Sequence, residues 1–190
     1  GQLAAKFQHW NLAKHHFAKS AELGLEVYRP WYFSALAACT TGDTRGYRDA
    51  CTQLLQRYRD ADDVYDAHFA AWTCALKPDA LADYGPAIAL AEKALSKGDM
   101  SGQFLDGLGA VLFRARRYDE ARQKLNESVK LSTDDKSTSP AYAQFFLAMT
   151  HFRLGNLGES NKCFANGVLE MERVYEADRS GNEKLAWHRR

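Results

Sequence analysis

The chain has 190 residues, of which 46% are hydrophobic and 26% are charged, a composition that predicts one folded domain rather than a disordered chain. The formal net charge of +1 argues against nucleic-acid binding by the whole chain, because such binding needs an excess of Lys and Arg on one surface. No apolar run approaches the roughly 18 residues of a membrane span, and no signal segment opens the chain, so we expect a cytoplasmic protein without membrane attachment.

An all-α fold is predicted from the spacing of the apolar residues, which is helical almost throughout. Alanine and leucine are abundant while valine, isoleucine and threonine are sparse, in agreement with helix propensity. Prolines fall where helices should begin or end, at Pro30, Pro78, Pro86 and Pro140. We expect one domain, 1–190.

A helix–turn–helix pattern repeats along this domain. A partial unit, 1–25, carries its second helix in full, with one face formed by Trp10, Ala13, Phe17 and Ser20. The unit 28–60 follows the same pattern more loosely, with Trp31, Ala35, Ala38, Gly42, Tyr47, Cys51 and Leu54. The unit 64–97 is irregular, because its two helices match only when each is aligned separately.

The unit 102–135 shows the pattern most clearly. Its first helix presents Leu105, Leu108, Gly109 and Leu112, and its second presents Tyr118, Ala121, Leu125 and Ser128. The unit 141–175 repeats these places with Leu147, Ala148, His151, Gly155, Leu157, Ser160, Phe164 and Gly167. Residues 183–190 are a candidate capping helix, anchored by Leu185 and Trp187, because a solenoid needs a polar terminal face. The chain is expected to be a fragment of a longer protein.

Small residues recur where two antiparallel helices must cross closely: Gly1, Ala35, Gly109 and Ala148. A bulky aromatic follows the turn at Trp10 and Tyr118, and a small residue comes three positions later. This pattern resembles the tetratricopeptide repeat, a helix–turn–helix of about 34 residues. The resemblance implies a right-handed α-solenoid of about four to five helix pairs.

Two segments depart from the tetratricopeptide pattern. The unit 28–60 has Thr44 where the aromatic is usual and Tyr47 where alanine is usual, which predicts a shifted or looser helix pair there. In the unit 64–97, the link Lys77 to Gly85 is about four residues longer than the family turn. The runs 74–95 and 104–131 also resemble repeat arrays of large bacterial multidomain proteins that accompany Ser/Thr kinase or WD40 domains.

Candidate chemical sites all have a simpler interpretation. Gly107-Leu108-Gly109 could open a phosphate loop, but a dinucleotide loop needs a preceding strand and a third glycine where Leu112 stands. The cluster Arg114, Arg116 and Arg117 could bind phosphate, yet acidic residues follow it directly, which favours a solvated turn.

The histidines and cysteines do not match a metal site. His15 and His16 point about 100° apart on a helix, and His9 lies off the i, i+4 spacing. The four cysteines form no C-x-x-C pair and are expected to be buried free thiols. The paired acids fit helix capping. We therefore expect no enzyme, no metal and no cofactor.

The functional surface expected from the resemblance is the concave groove, which the first helix of each tetratricopeptide unit lines. The inward positions carry an aromatic-rich set of candidate partner-binding residues: Tyr32, Phe33, Tyr65, His68, Phe69, Trp72, Phe113, Arg114, Tyr142, Phe145, Phe146, Met149, Phe152 and Arg153. Tyr32, His68, Asp106 and Phe145 stand where an anchoring lysine would hold an acidic chain end, so this groove departs from that kind of clamp.

The predicted function is a non-catalytic scaffold or adaptor that binds an apolar or amphipathic peptide or helix in this groove. The alternative is a regulatory or dimerisation segment of a larger enzyme, such as a bacterial Ser/Thr protein kinase. The expected partner is a protein or peptide, including the parent chain's own domains, with self-association left open. Neither nucleic acid nor membrane is expected as a partner.

Overall fold

The computed structural model describes residues 1–23, 28–98, 102–132 and 140–180. These residues form helices and connecting turns, without any strand. The helices are α1 (Gln2–Lys6), α2 (Trp10–Glu22), α3 (Arg29–Thr40), α4 (Thr44–Tyr58), α5 (Val64–Ala75), α6 (Gly85–Lys97), α7 (Gly102–Arg114), α8 (Tyr118–Ser132), α9 (Ala141–Arg153) and α10 (Leu157–Arg179). The capping helix predicted at 183–190 lies outside the described residues.

The helices pack as successive antiparallel pairs, in which each odd-numbered helix packs against the next even-numbered one. Helices α2, α4, α6 and α8 also pack against the first helix of the following pair, and α3, α5, α7 and α9 pack against one another in order. This is a right-handed α-solenoid of tetratricopeptide type, and the predicted fold class is confirmed.

Four of the five turns inside the pairs share one geometry, with a central residue in the left-handed region. These residues are Gln8, Gly42, Arg116 and Gly155, at φ values of 60°, 71°, 62° and 78°. In each turn the amide of this residue and the next amide donate back to the preceding helix. In the second pair, Gly42 N–H donates to the Cys39 carbonyl and Asp43 N–H to the Ala38 carbonyl. This hydrogen-bond pattern is a Schellman motif, which satisfies the last carbonyls of the helix.

The left-handed residue sets a common register, in which the residue seven positions before it is small. At this position in α7, a Cβ added to Gly109 would lie 2.6 Å from Leu125 Cγ, too close for any side chain. A Cβ on Gly1 would similarly lie 2.5 Å from the Phe17 ring. The small residue therefore lets a larger side chain of the second helix sit against the first helix.

The third pair, α5 and α6, is joined by a longer link, which Tyr47 of the preceding pair stabilises. The Tyr47 hydroxyl donates to the Thr73 carbonyl at 2.7 Å and accepts from the Lys77 amide at 3.0 Å. The Tyr47 side chain is 1% exposed. Tyr47 is therefore fully packed, and its hydroxyl satisfies backbone groups where α5 ends, while the shifted or looser helix pair expected for 28–60 stays a prediction.

The cysteines are unpaired, with Cys51, Cys74 and Cys163 buried and Cys39 half-buried. Burial raises the pKa of the Cys39 thiol to about 11, which keeps it protonated at neutral pH. Within the described ranges, no helix combines the length and apolar character needed to cross a bilayer.

Replacing Arg116 with glycine should stabilise the protein by about 1 kcal/mol, because a residue with a Cβ is strained in the left-handed region. Arg116 is exposed, so the change removes little packing. The free energy of unfolding in urea, followed by helical circular dichroism, measures the gain. Gly155→Ala is the reciprocal control. Its added Cβ has nothing within 4 Å, so any loss in the free energy of unfolding comes from the left-handed backbone, and we expect this variant to be less stable than the wild type. Equal stability of both variants and the wild type would show that the turns are unstrained.

Candidate functional site

The concave face is formed by the first helices α3, α5, α7 and α9, which pack side by side. Helix α7 lies in the middle of this face, between α5 and α9. Every residue from Phe104 to Phe113 in α7 is buried, although a helix on an open face would leave one side accessible. The concave face is therefore covered along α7.

Trp72 provides part of this cover, because its indole extends from α5 to α9. The Trp72 ring lies 5.5 Å from the Tyr142 ring and 6.1 Å from the Phe146 ring, both edge to face. Phe146 in turn lies 5.8 Å from Phe113 of α7. Edge-to-face contacts at these distances are favourable, so aromatic residues from three first helices form one cluster that closes the middle of the groove.

Gly107 of α7 gives the His68 ring room to pack against the same aromatic cluster. A Cβ added to Gly107 would lie 2.7 Å from the His68 ring, so glycine is needed for this approach. The imidazole contacts Phe69, Trp72 and Phe104 and is 3% exposed. Burial lowers the pKa of His68 to about 3, so the imidazole is neutral at physiological pH.

At the N-terminal side of the face, Tyr28 and Phe69 stack with ring centroids 4.1 Å apart and nearly parallel planes. Tyr32 lies 5.3 Å from Phe69. This stack extends the aromatic cluster from α5 towards α3. Tyr28 was not among the predicted site residues, and the signal that could have identified it is its spacing of four residues before Tyr32.

Arg114 is held at the other side of the cluster. Its Nε donates to the Ala75 carbonyl at 2.8 Å, and its guanidinium lies over the rings of Phe113 and Phe146 at 5.4 and 5.6 Å. Burial lowers the pKa of Arg114, but the guanidinium remains charged. The guanidinium thus satisfies the Ala75 carbonyl at the negative, C-terminal end of α5. Through this hydrogen bond and its contact with the Phe146 ring, Arg114 of α7 connects α5 with α9.

The predicted partner-binding residues divide by exposure. The buried ones are Tyr32, Phe33, His68, Trp72, Phe113 and Phe146; the half-buried ones are Phe69, Arg114, Phe145 and Met149; the exposed ones are Tyr65, Tyr142, Phe152 and Arg153. Phe145 lies against α10, with its ring 5.9 Å from Phe164. The structure therefore brings Trp72, Tyr142 and Phe146 together and places Phe145 away from them.

Two exposed tyrosines remain at the edge of the covered face, and we call them the aromatic rim. Tyr65 is 52% exposed and its ring packs 5.7 Å from the buried Phe104 ring. Tyr142 is 46% exposed and packs against the buried Trp72. Each phenol ring is thus held by a buried aromatic while part of its surface faces solvent.

Asp106 is a buried acid in α7. It is 4% exposed, and the Ser128 hydroxyl of α8 donates to its Oδ1. Desolvation by burial raises the pKa of Asp106 to about 7, against the lowering effect of the Ser128 hydrogen bond. This carboxyl links the first and second helices of the fourth pair. In the described part of the chain, no three His, Cys, Asp or Glu side chains are grouped as metal ligands would be.

Solved structures of MamA are similar to this chain over most of its length. MamA MSR-1 is 18% identical, with 90% of this chain and 92% of that chain covered and a TM-score of 0.52. MamA AMB-1 is 16% identical, with 89% and 94% covered and a TM-score of 0.53. MamA of Desulfovibrio magneticus RS-1 is 12% identical, with 91% of each chain covered and a TM-score of 0.53.

Identities this low establish a common fold and no more. The fold is of tetratricopeptide type. No protein-family model matches the sequence, and no curated protein matches it either. The resemblance to kinase-associated or WD40-associated arrays stays a prediction.

Asp106 should make stability depend on pH. Between about pH 4 and pH 7 the folded state keeps a proton that the unfolded chain has lost, so the free energy of unfolding falls as pH rises. Asp106→Asn keeps a polar group beside Ser128 and removes this dependence. We therefore expect the free energy of unfolding of Asp106→Asn, relative to that of the wild type, to increase between pH 4 and pH 8, by at most about 4 kcal/mol.

Urea unfolding at pH 4, 5, 6, 7 and 8 measures this difference. The buried His68 adds a pH dependence of the opposite sign, because the stabilisation that its neutral form gives is lost as pH falls from about 6.5 to about 3. In Asp106→Asn this effect of His68 remains, so the free energy of unfolding of that variant should rise with pH up to about 6.5. Asp119→Asn, which removes an exposed carboxylate on α8, is the matched control and should leave the wild-type profile unchanged. An Asp106→Asn profile parallel to the wild type would show that Asp106 is ionised in the folded state.

Proposed function

We propose that this chain is a non-catalytic scaffold that binds a peptide or helix of a protein partner at the aromatic rim. The observation that carries the proposal is the packing of Tyr65 and Tyr142, which are half exposed and each held by a buried aromatic ring. A bacterial source and a cytoplasmic location remain predictions.

Pre-ordered aromatic rings are suited to binding a partner. Tyrosine offers a large apolar surface and a polar hydroxyl, and aromatic residues of this kind dominate the binding energy at many interfaces. A side chain already fixed by packing loses little conformational entropy when a partner covers it. Tyr142 meets both conditions, because Trp72 fixes its ring at 5.5 Å.

The covered groove also limits where the partner lies. A peptide in the middle of the groove would have to displace Trp72 from Tyr142 and Phe146, which would expose a buried aromatic cluster. The rim requires no such opening. We therefore place the partner across Tyr65 and Tyr142, beside the half-buried Phe69 and Met149, with Arg153 as an exposed cation near the same face.

Peptides selected from a random display library against the 190-residue protein test this proposal. We expect the selected peptides to be rich in apolar and aromatic residues and to bind at least about fivefold more weakly to Tyr142→Ala, since truncation of an aromatic anchor costs about 1 kcal/mol or more. Tyr65→Ala should weaken binding in the same direction. Fluorescence polarisation gives the dissociation constants.

Leu131→Ala is the control, because Leu131 is an exposed apolar residue on the second helix α8. It should bind the peptides like the wild type. Helical circular dichroism checks that each variant folds. Selected peptides that bind Tyr65→Ala and Tyr142→Ala with unchanged affinity would overturn the rim as the binding surface.

A further inference from the structure

The Arg114 side chain is fixed in place before any partner arrives. Its Nε donates to the Ala75 carbonyl at 2.8 Å, and its guanidinium lies over the Phe113 ring at 5.4 Å and the Phe146 ring at 5.6 Å. The hydrogen bond holds one edge of the planar group, and the two rings limit its tilt. A side chain ordered in this way loses little conformational entropy when a partner binds it.

Most of the hydrogen-bonding capacity of this guanidinium is unused. An arginine carries five N–H donors, and Arg114 uses its Nε–H for the Ala75 carbonyl. The terminal Nη groups make no hydrogen bond within the described residues, and neither nitrogen is fully buried. Two parallel N–H groups on one planar edge match the two oxygens of a carboxylate. Arg114 therefore presents an ordered and accessible pair of donors.

Positive charge collects around the C-terminal end of α5. Lys77 follows this helix closely, is half-buried and has no ion pair in the described part of the chain. Asp79 acts electrostatically on Arg114, although these two described residues form no ion pair. Arg48 donates from its Nε to the Asp79 backbone carbonyl at 2.8 Å. Three cations thus accompany one carboxylate, and the excess positive charge attracts an acidic group.

The acids at the other end of α5 are already engaged. Asp63 caps the helix, since its carboxylate accepts from the Tyr65 and Asp66 amides at 2.8 and 3.0 Å. Asp66 in turn accepts from the Tyr28 amide at 3.2 Å. Helix α5 therefore has acids at its start and cations at its end. A partner with an acidic residue is oriented with that residue towards Arg114.

Arg114 lies close enough to the aromatic rim for one partner segment to contact both. Tyr142 and Phe146 are four residues apart on α9, which is about one helical turn, or about 6 Å, and Arg114 packs over the Phe146 ring. Residues four positions apart on a helical partner have the same spacing. An apolar residue on Tyr142 and an acidic residue on Arg114 therefore fit on one face of such a partner.

We propose that Arg114 selects the partner of the aromatic rim by pairing with the carboxylate of an aspartate or glutamate side chain. This acid lies about one to two helical turns from the apolar residue that packs on Tyr142, and its two oxygens accept from the Arg114 Nη groups. Lys77 adds attraction at longer range. The bound group is a side chain within the partner, rather than an acidic chain end. The inference rests on the proposed binding at the rim, and it makes the partner an acidic amphipathic helix.

The peptides selected against the 190-residue protein test this inference. We expect them to carry an aspartate or glutamate about four to seven positions from an aromatic or apolar residue. Replacing that acid by its amide should weaken binding to the wild type at least about fivefold, because a charged hydrogen-bonded pair is lost. Arg114→Gln should weaken the acidic peptide by a similar factor and the amide peptide much less. Fluorescence polarisation gives the four dissociation constants.

Two further comparisons separate an ordered pair of donors from charge alone. Arg114→Lys keeps the positive charge but loses the planar donors, so it should bind the acidic peptide more weakly than the wild type. Added salt should weaken the acidic peptide more than the amide peptide. Arg45→Gln, which removes an exposed cation from the second helix α4, is the matched control and should leave both affinities unchanged. Helical circular dichroism checks the folding of each variant.

Each contrary result has a separate meaning. Peptides that need Tyr142 but bind equally well as acid and amide would overturn this inference and leave the rim in place. Equal weakening of both peptides by Arg114→Gln would show a structural role only, and full affinity in Arg114→Lys would show that charge alone suffices; either result overturns the pairing. Peptides that bind Tyr142→Ala with unchanged affinity would remove the rim, and this inference with it. If Arg114→Gln fails to fold, the acidic and amide peptides compared on the wild type and on Arg114→Lys still decide.

Discussion

The close crossing of the two helices in each pair is the constraint on which the rest of this structure depends. Gly109 lies so near Leu125 that an added Cβ would overlap its side chain, and the left-handed turn at Arg116 returns the chain at the angle this crossing needs. Since the turn sets where each residue of the second helix falls, a fixed register follows from it. The same register then decides which residues face the neighbouring pair.

Close packing between the pairs has a second consequence on the concave face. Helices α5, α7 and α9 approach until Trp72 meets Tyr142 over α7, which is possible because α7 offers Gly107 to the His68 ring. The aromatic residues of the first helices thereby become part of the core. Burying them stabilises the solenoid, since aromatic side chains contribute much of the apolar area in a core, but it removes them from the surface available to a partner.

The helices, the turns and the small crossing residues could be predicted from the sequence because they depend on neighbours within about 20 residues. The crossing of Gly109 with Leu125 is of this kind. Whether Trp72 is exposed depends instead on its distance from Tyr142, seventy positions away, and that distance is set by the accumulated rotation of several pairs. Tyr47 shows the same limit. A tyrosine at this place breaks the repeat pattern, and only the path of the link after α5 shows that its hydroxyl accepts a hydrogen bond from the Lys77 backbone amide.

The distribution of apolar surface follows from one geometric fact about solenoids. Each pair has two faces for its neighbours, and every internal pair covers both, so positions such as Leu125 are fully buried. Cys51 and Leu125 hold the same place after the left-handed turn residues Gly42 and Arg116 and are both 0% exposed. The register that the turn sets in each of these pairs therefore also fixes which side chains of its second helix enter the core.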